Sequence, residues 1–393
     1  MKVKSFLLMA IMVVIGVRSY AQSQSTIPNV ITTAVPFVSI APEARGGSMG
    51  DCGVSSDADV YSMHYNAAKY AFLESRLSFG LGYNPWLRNL VPDMGLAYLA
   101  FATKLNSESA LAATLRYFNV GNITYTDQSG NYLFDARPNE WAIDVAYSRM
   151  LTDYLSGAVA ARFIYSNLTQ GLNETSAGWS VAADVSVYYK RPVEWFSDMD
   201  ADFAWGVSIN NIGSKVSYDN NSIERDFIPT TLRFGPSLKL HLDEYNSLGF
   251  MVDVTKLLVP TPPTYFPGTD SIACGMPDNV SAPVGIIQSF YDAPGYAFND
   301  MGEKVGKGPF FEELCEYNFG VGVEYWYNKT FAVRAGYFNE AAMKGNRKYI
   351  TMGAALKYNA FGLDVSYLVP VSGTIGANPL EYTLRFNLSV DIK

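Results

Sequence analysis

The last dozen residues constrain this chain more than any other stretch of it. Tyr382, Leu384, Phe386, Leu388, Val390 and Ile392 alternate without a break with Thr383, Arg385, Asn387, Ser389 and Asp391. On a strand, successive side chains point to opposite faces, so these two sets form one apolar and one polar face. The apolar face suits hydrocarbon, whereas an arginine and an aspartate would be costly there. The same period returns in Trp141, Ile143, Val145 and Tyr147 set against Asp144 and Ser148. It returns again in Trp179, Val181, Val185 and Val187 against Ser180, Asp184 and Ser186, and in Phe361, Leu363, Val365 and Tyr367 against Gly362, Asp364 and Ser366. A sheet with hydrocarbon on one side and polar groups on the other is the arrangement these runs predict.

The whole chain yields about fourteen such runs: 74–83, 93–104, 109–120, 139–150, 154–166, 177–190, 202–211, 229–241, 246–257, 315–327, 330–338, 347–358, 360–369 and 380–392. Each has about the nine to eleven residues that a tilted strand needs to cross a bilayer. Connections after even-numbered runs are short and polar, such as Thr152-Asp153, Asn328-Lys329 and Asn359; only Arg191 to Asp200 is longer. The alternate connections are longer almost throughout: 121–138, 167–176, 212–228, 258–314 and 370–379. Long loops outside and short turns inside are the habit of outer-membrane barrels. The expected fold is therefore an all-β membrane protein, an antiparallel outer-membrane barrel of about 14 strands over residues 73–393.

Composition agrees. Only 17% of residues are charged and 14% are aromatic, with 27 tyrosines and 23 phenylalanines. No segment after the leader approaches the ~18 consecutive apolar residues of a membrane helix. The leader itself, with Lys2 and Lys4, an apolar Phe6 to Val17 and Ser19-Tyr20-Ala21, reads as a signal peptide, 1–21. A lipoprotein would need a cysteine just after cleavage, and Gln22 stands there. The net charge of −8 excludes a nucleic-acid partner, which needs a basic footprint. Cys52, Cys274 and Cys315 allow one bridge at most, such as Cys274 with Cys315. Trp86, Trp141, Trp179, Trp195, Trp205 and Trp326 are expected at strand ends or on lipid-facing positions, as interfacial girdles.

Two segments do not read as strands. Residues 22–72 contain a glycine-rich stretch, Gly46 to Gly53, and a helix-prone run, Asp57 to Tyr70. This is too much ordered-looking sequence for a free tail, and a lumen plug is expected. The inward charges Asp144, Asp184, Arg233, Lys239, Glu324, Arg334, Lys357, Asp364 and Arg385 would then be tolerable through pairing. Residues 258–314 hold eight of the nineteen prolines, together with Tyr265, Phe266, Ile286, Ile287, Phe290, Tyr291, Phe310 and Phe311. A solvating linker would be poorer in apolar groups, so a folded extracellular loop that contacts a partner or caps the pore is expected. Glu312, Glu313 and Glu316 read as a solvated end to that loop.

Catalytic chemistry is hard to place. His64 and His241 are the only histidines, and a serine hydrolase needs a nucleophile, a base and an orienting group within reach. His64 is expected to pack in the plug and His241 to sit in a polar girdle. No cofactor or metal site is expected, since Cys52 and His64 lack further ligands at suitable spacing.

The stretch Ala44-Arg45-Gly46-Gly47-Ser48-Met49-Gly50, followed by Val54-Ser55-Ser56-Asp57-Ala58-Asp59 and Tyr65-Asn66-Ala67-Ala68, resembles the "A-R-x-x-x-M-G … A … D … N-P-A" opening of barrels like the long-chain fatty-acid transporter. Ala67 stands where that pattern has proline. With the opening Ser39-Ile40-Ala41-Pro42-Glu43, the strand plan and the Pro-rich ninth-to-tenth connection, the whole chain resembles the PorV (LptO) family. The resemblance implies a non-enzymatic outer-membrane component of the type IX secretion system of Bacteroidetes. It implies a plug motif at Arg45, Gly46, Gly47, Met49, Gly50 and Asn66. Its implied partners are a large translocon barrel, the C-terminal signal domains of secreted cargo, and a sortase-containing attachment complex, besides outer-membrane lipid. The alternatives are a transport barrel for fatty-acid-like compounds and, behind it, a lipid A deacylase.

Overall fold

The alternating runs close on themselves. The structure is a computed structural model that describes residues 27–86, 93–127, 129–168, 176–196, 199–218, 225–299, 301–371 and 383–393; the expected signal peptide and Tyr382 lie outside them. Fourteen strands form one closed antiparallel barrel. They are β1 Leu77–Pro85, β2 Gly95–Lys104, β3 Ser109–Asn119, β4 Asn139–Thr152, β5 Leu155–Asn167, β6 Gly178–Phe196 and β7 Met199–Gly213. The second half comprises β8 Thr231–His241, β9 Asn246–Leu257, β10 Tyr317–Tyr327, β11 Phe331–Asn339, β12 Lys348–Tyr358, β13 Phe361–Pro370 and β14 Leu384–Ile392. Closure runs from Leu77 opposite Ile392 to Tyr83 opposite Phe386. A closed barrel leaves no backbone edge unpaired, the condition for a sheet in hydrocarbon.

Every expected strand is present. The clearest difference is at β6, which continues to Phe196 and pairs with Met199, so the segment expected as a turn at 191–200 is mostly ladder. Outward positions are large and apolar: Leu81, Leu99, Ile143, Val145, Val181, Val333, Leu363 and Leu388 are exposed. Inward positions on β2 to β5 are small, with Ala100, Ala102, Ala110, Ala112, Ala146, Ala158 and Ala160 buried. Small inward side chains leave the lumen room for another chain segment, and residues 35–73 pack there against the inward side chains of the wall. Two tryptophans depart from the expected girdle. Trp326 lies on the inward register of β10, with Arg334 and Lys357 over its ring at 5.6 and 5.5 Å. Trp86 packs against the buried cluster around Phe37 and Phe118.

The expected helix over 57–70 is instead two short 3-10 turns, Ser62–His64 and Ala67–Phe72. The barrel wall takes the hydrogen bonds an α-helix would keep to itself. Ser148 and Ser156 Oγ both donate to Ala68 O, at 2.9 and 2.7 Å. Ala68 N–H and Ala71 N–H donate to Ser186 and Ser148 hydroxyls.

Candidate functional site

Two regions carry the candidate residues: the lumen segment and the face made by the long connections. In the lumen, Arg45 is the hub. Its guanidinium donates twice to Glu324, at 3.0 and 2.9 Å, and also to Asp57 O and Asp59 Oδ2, each at 3.0 Å. Glu324 is shared with Arg334, which reaches on to Asp364. Lys190 and Lys239 converge on Asp57 at 2.6 and 2.8 Å. Arg162 bridges Asp144 and Asp184, and its other arm meets the Asn211 side chain. Asn211 sits at the bulge between β6 and β7 in a left-handed conformation (φ 62°), its N–H donating to Asp184. Buried charges are stable only as complete networks, and this one ties the segment to the wall.

The other motif residues work by closeness. Gly50 has φ 69°, donates to Thr351 Oγ1 at 2.8 Å and lies on the Tyr337 backbone, where a β-carbon would stand 2.5 Å from an oxygen. A β-carbon on Gly47 would meet Arg385, and one on Gly46 would meet Tyr65 and Glu43. Met49 is fully buried with Met251 and Cys52. Asn66 caps the turn at Ala68 N–H and donates to Val54 O and Val187 O, both at 3.0 Å. All six motif residues thus come together inside the barrel.

The connection between β9 and β10 is folded, with hairpins Thr264–Tyr265 with Ile272–Cys274 and Tyr296–Phe298 with Lys304–Gly306. Its helices Ala282–Gln288 and Pro309–Cys315 each begin with a proline in the first two positions, where the missing N–H costs nothing. Of the carboxylates expected as a solvated end, Glu312 and Glu316 are buried and Glu313 is partly so. Glu316 meets Lys256, Lys344 and the Thr261 hydroxyl. Glu312 meets Lys344 at 2.7 Å and accepts from Gly295 N–H and Asn29 Nδ2. Glu313 accepts from Ala293 N–H and pairs with Lys256. Beside them Asp292 accepts from Thr261 N–H and Gln288; burial and the Glu316 and Glu313 carboxylates push its pKa up to about 6. Lys256 and Lys344 lie 60 and 32 residues from the carboxylates they meet and Asn29 lies 283 away, so local reading missed all three; no local signal marks them.

Above this base, Tyr265, Phe266, Ile287, Phe290, Tyr291, Phe310 and Phe311 are exposed, Phe310 to 78%, while Ile286 is half-buried. A cavity of about 470 Å³ opens among Tyr265, Tyr296, Phe298, Phe311, Lys307 and Asn29. Cys274 and Cys315 are unpaired, as is buried Cys52.

The histidines have partners of their own. His64 is buried against Arg116, 3.4 Å from its Nδ1, with the Tyr65 ring at its edge. His241 faces Asp202 at 3.3 Å. Among the described hydrogen bonds neither ring meets a serine or cysteine, the partner that nucleophilic catalysis needs.

No curated protein matches this chain. Similar solved structures include the toluene transporter TbuX of Ralstonia pickettii, at 11% identity and TM-score 0.45 over 90% of this chain and 98% of that one. A FadL homologue of Pseudomonas aeruginosa aligns at 10% identity and TM-score 0.41, over 93% and 100%. LpxR from Salmonella typhimurium aligns at 9% identity and TM-score 0.34, over 80% and 100%. The family model described as "Type IX secretion system protein PorV" matches residues 21–264, well over half of the chain. This chain belongs to the PorV family, the outer-membrane barrel components of the type IX secretion system.

Proposed function

We propose that this barrel binds the C-terminal signal domains of secreted cargo at its long-loop face. Cargo arrives there from a large translocon barrel and passes on to a sortase-containing attachment complex. In this reading the long connections face the outside of the cell, residues 1–21 are removed on export, and the segment 22–72 is a plug. The observation that carries the reading is the folded 258–316 connection, whose buried lysine–carboxylate base supports seven exposed apolar side chains. Exposed apolar patches on an ordered support mark protein contact sites. The lumen network favours binding over conduction, since a conducting path would need the Arg45 and Asp57 contacts to break.

A tagged pull-down from detergent-solubilised outer membranes, read by mass spectrometry, tests this. Recovery of a very large barrel, a sortase-like protein and several proteins sharing one C-terminal domain supports the reading. Recovery of the barrel alone with bound lipid would replace it with transport of an apolar compound.

A further inference from the structure

The lumen segment runs the full height of the barrel, and its upstream end emerges among the long connections. At the opposite rim, Arg76 O accepts from Lys104 N–H, next to the short turn after β2. Moving up, Ala68 bonds the Ser148, Ser156 and Ser186 side chains, and Gly53 and Val54 N–H groups donate to Asp253. Higher still, Ala44 N–H donates to Asn387, and Arg116 donates to Val38 O. Above the barrel, Ala34 N–H donates to Phe227 O, in the connection between β7 and β8. Asn29 N–H donates to Met343 O at 2.8 Å, in the connection between β11 and β12. Its side-chain amide donates to Pro262 O at 3.2 Å and to Glu312 Oε1 at 2.9 Å, both in the β9–β10 connection.

Residues 27–34 therefore touch three separate connections at the long-loop end, and Asn29 shares the buried Glu312 carboxylate with Lys344. We propose that this stretch is a strap on the loop side of the membrane. It clamps the long loop to its neighbours and joins loop and lumen segment into one mechanical unit. A partner that shifts the loop then pulls directly on the chain that fills the lumen. Asn29 lies at the loop face, and the barrel must close around the segment as it folds. The cell-surface placement rests on the orientation proposed above; the clamp does not.

Cysteine labelling tests both parts. In a Cys274→Ser, Cys315→Ser background, Cys52 is fully buried and stays silent. Single cysteines are then placed at Val30, which is 43% exposed, at Thr269 in the loop and at Ser107 in a short turn. With a membrane-impermeant maleimide on intact cells, Val30→Cys and Thr269→Cys should label, and Ser107→Cys only after permeabilisation. If Val30→Cys stays unlabelled while Thr269→Cys labels, the strap is overturned and the orientation survives. If Ser107→Cys labels on intact cells and Thr269→Cys does not, the orientation fails, and with it the surface placement.

The clamp is read in purified protein from a cysteine at Ala34, which is 7% exposed. Asn29→Asp sets a second carboxylate against Glu312 and removes both side-chain donations. Labelling of Ala34→Cys should rise at least tenfold, and protease should cut the 258–316 connection sooner. An unchanged rate with an unchanged cleavage pattern would overturn the clamp.

Discussion

Arg45→Met should loosen the lumen segment without opening the barrel. The substitution keeps most of the side-chain volume and removes four donations, two to Glu324 and one each to Asp59 and the Asp57 carbonyl. Removing one partner of a buried ion pair costs about 3–5 kcal/mol, because the other charge stays behind. Here the lower end applies: Glu324 keeps Arg334, and the Asp59 side chain is 24% exposed. A loss of about 3 kcal/mol, at about 1.4 kcal/mol per decade, raises the population of the displaced segment by roughly a hundredfold. Cys52 lies in the segment and is fully buried, so its thiol reports that displacement. With Cys274 and Cys315 replaced by serine, the rate of maleimide labelling at Cys52 in detergent should rise by that factor when reclosing outpaces labelling. The heat-modified mobility of the barrel should be unchanged. Arg45→Lys keeps the charge but loses the planar fork, so its rate should fall in between. A change below threefold in Arg45→Met would refute the ionic account and leave apolar packing and the glycine contacts as what holds the segment.

Three further outcomes follow from the same contacts. Lys256→Met takes one of two lysines from Glu316, which keeps Lys344, and takes Lys256 from partly buried Glu313; the β9–β10 connection should lose about 3 kcal/mol of local stability, the lower end for a buried pair, seen as faster proteolysis there with normal barrel mobility. Gly336→Ala sets a β-carbon 2.2 Å from the backbone at Met49 and Gly50; overpacking should cost about 1–3 kcal/mol or more and raise Cys52 labelling as Arg45→Met does. Asp292 has a folded-state pKa of about 6 against an ordinary 3.8, so the folded loop holds that proton more tightly than the unfolded one. Its contribution is full below pH 4, is lost as pH rises through 6, and is flat above; protease resistance of the loop should therefore be greater at pH 5 than at pH 7.5, and Asp292→Asn should flatten that difference.

Much of the architecture could be read before any coordinates, because a barrel wall separates two environments and every second residue reports one of them. That is why the Tyr382–Ile392 pattern and its counterparts place all fourteen strands, and why loop lengths alone sort the two ends. The Arg45 to Asn66 motif was legible through its resemblance, but its partners were not. Glu324, Thr351 and Arg385 reach it across the lumen from more than 270 residues away. Separation in sequence also hid the loop base, where Glu312 and Glu316 looked like a solvated acidic end until Lys256 and Lys344 closed on them. Trp326 misled for another reason: an aromatic near a strand end suits a girdle, but its even register turns it inward to Arg334 and Lys357. Helix-prone composition over 57–70 lost to serine hydroxyls on the wall, which local propensity does not see.

Cargo engagement by the exposed apolar side chains of the β9–β10 connection, as proposed above, requires that charging them stop delivery. Ile287 and Phe310, 64% and 78% exposed, can both be changed to aspartate without touching the buried base. Cells carrying Ile287→Asp with Phe310→Asp should hold the barrel at normal level and heat-modified mobility, yet fail to deliver type IX cargo to the surface. Normal surface delivery from that variant would show that these side chains do not engage cargo.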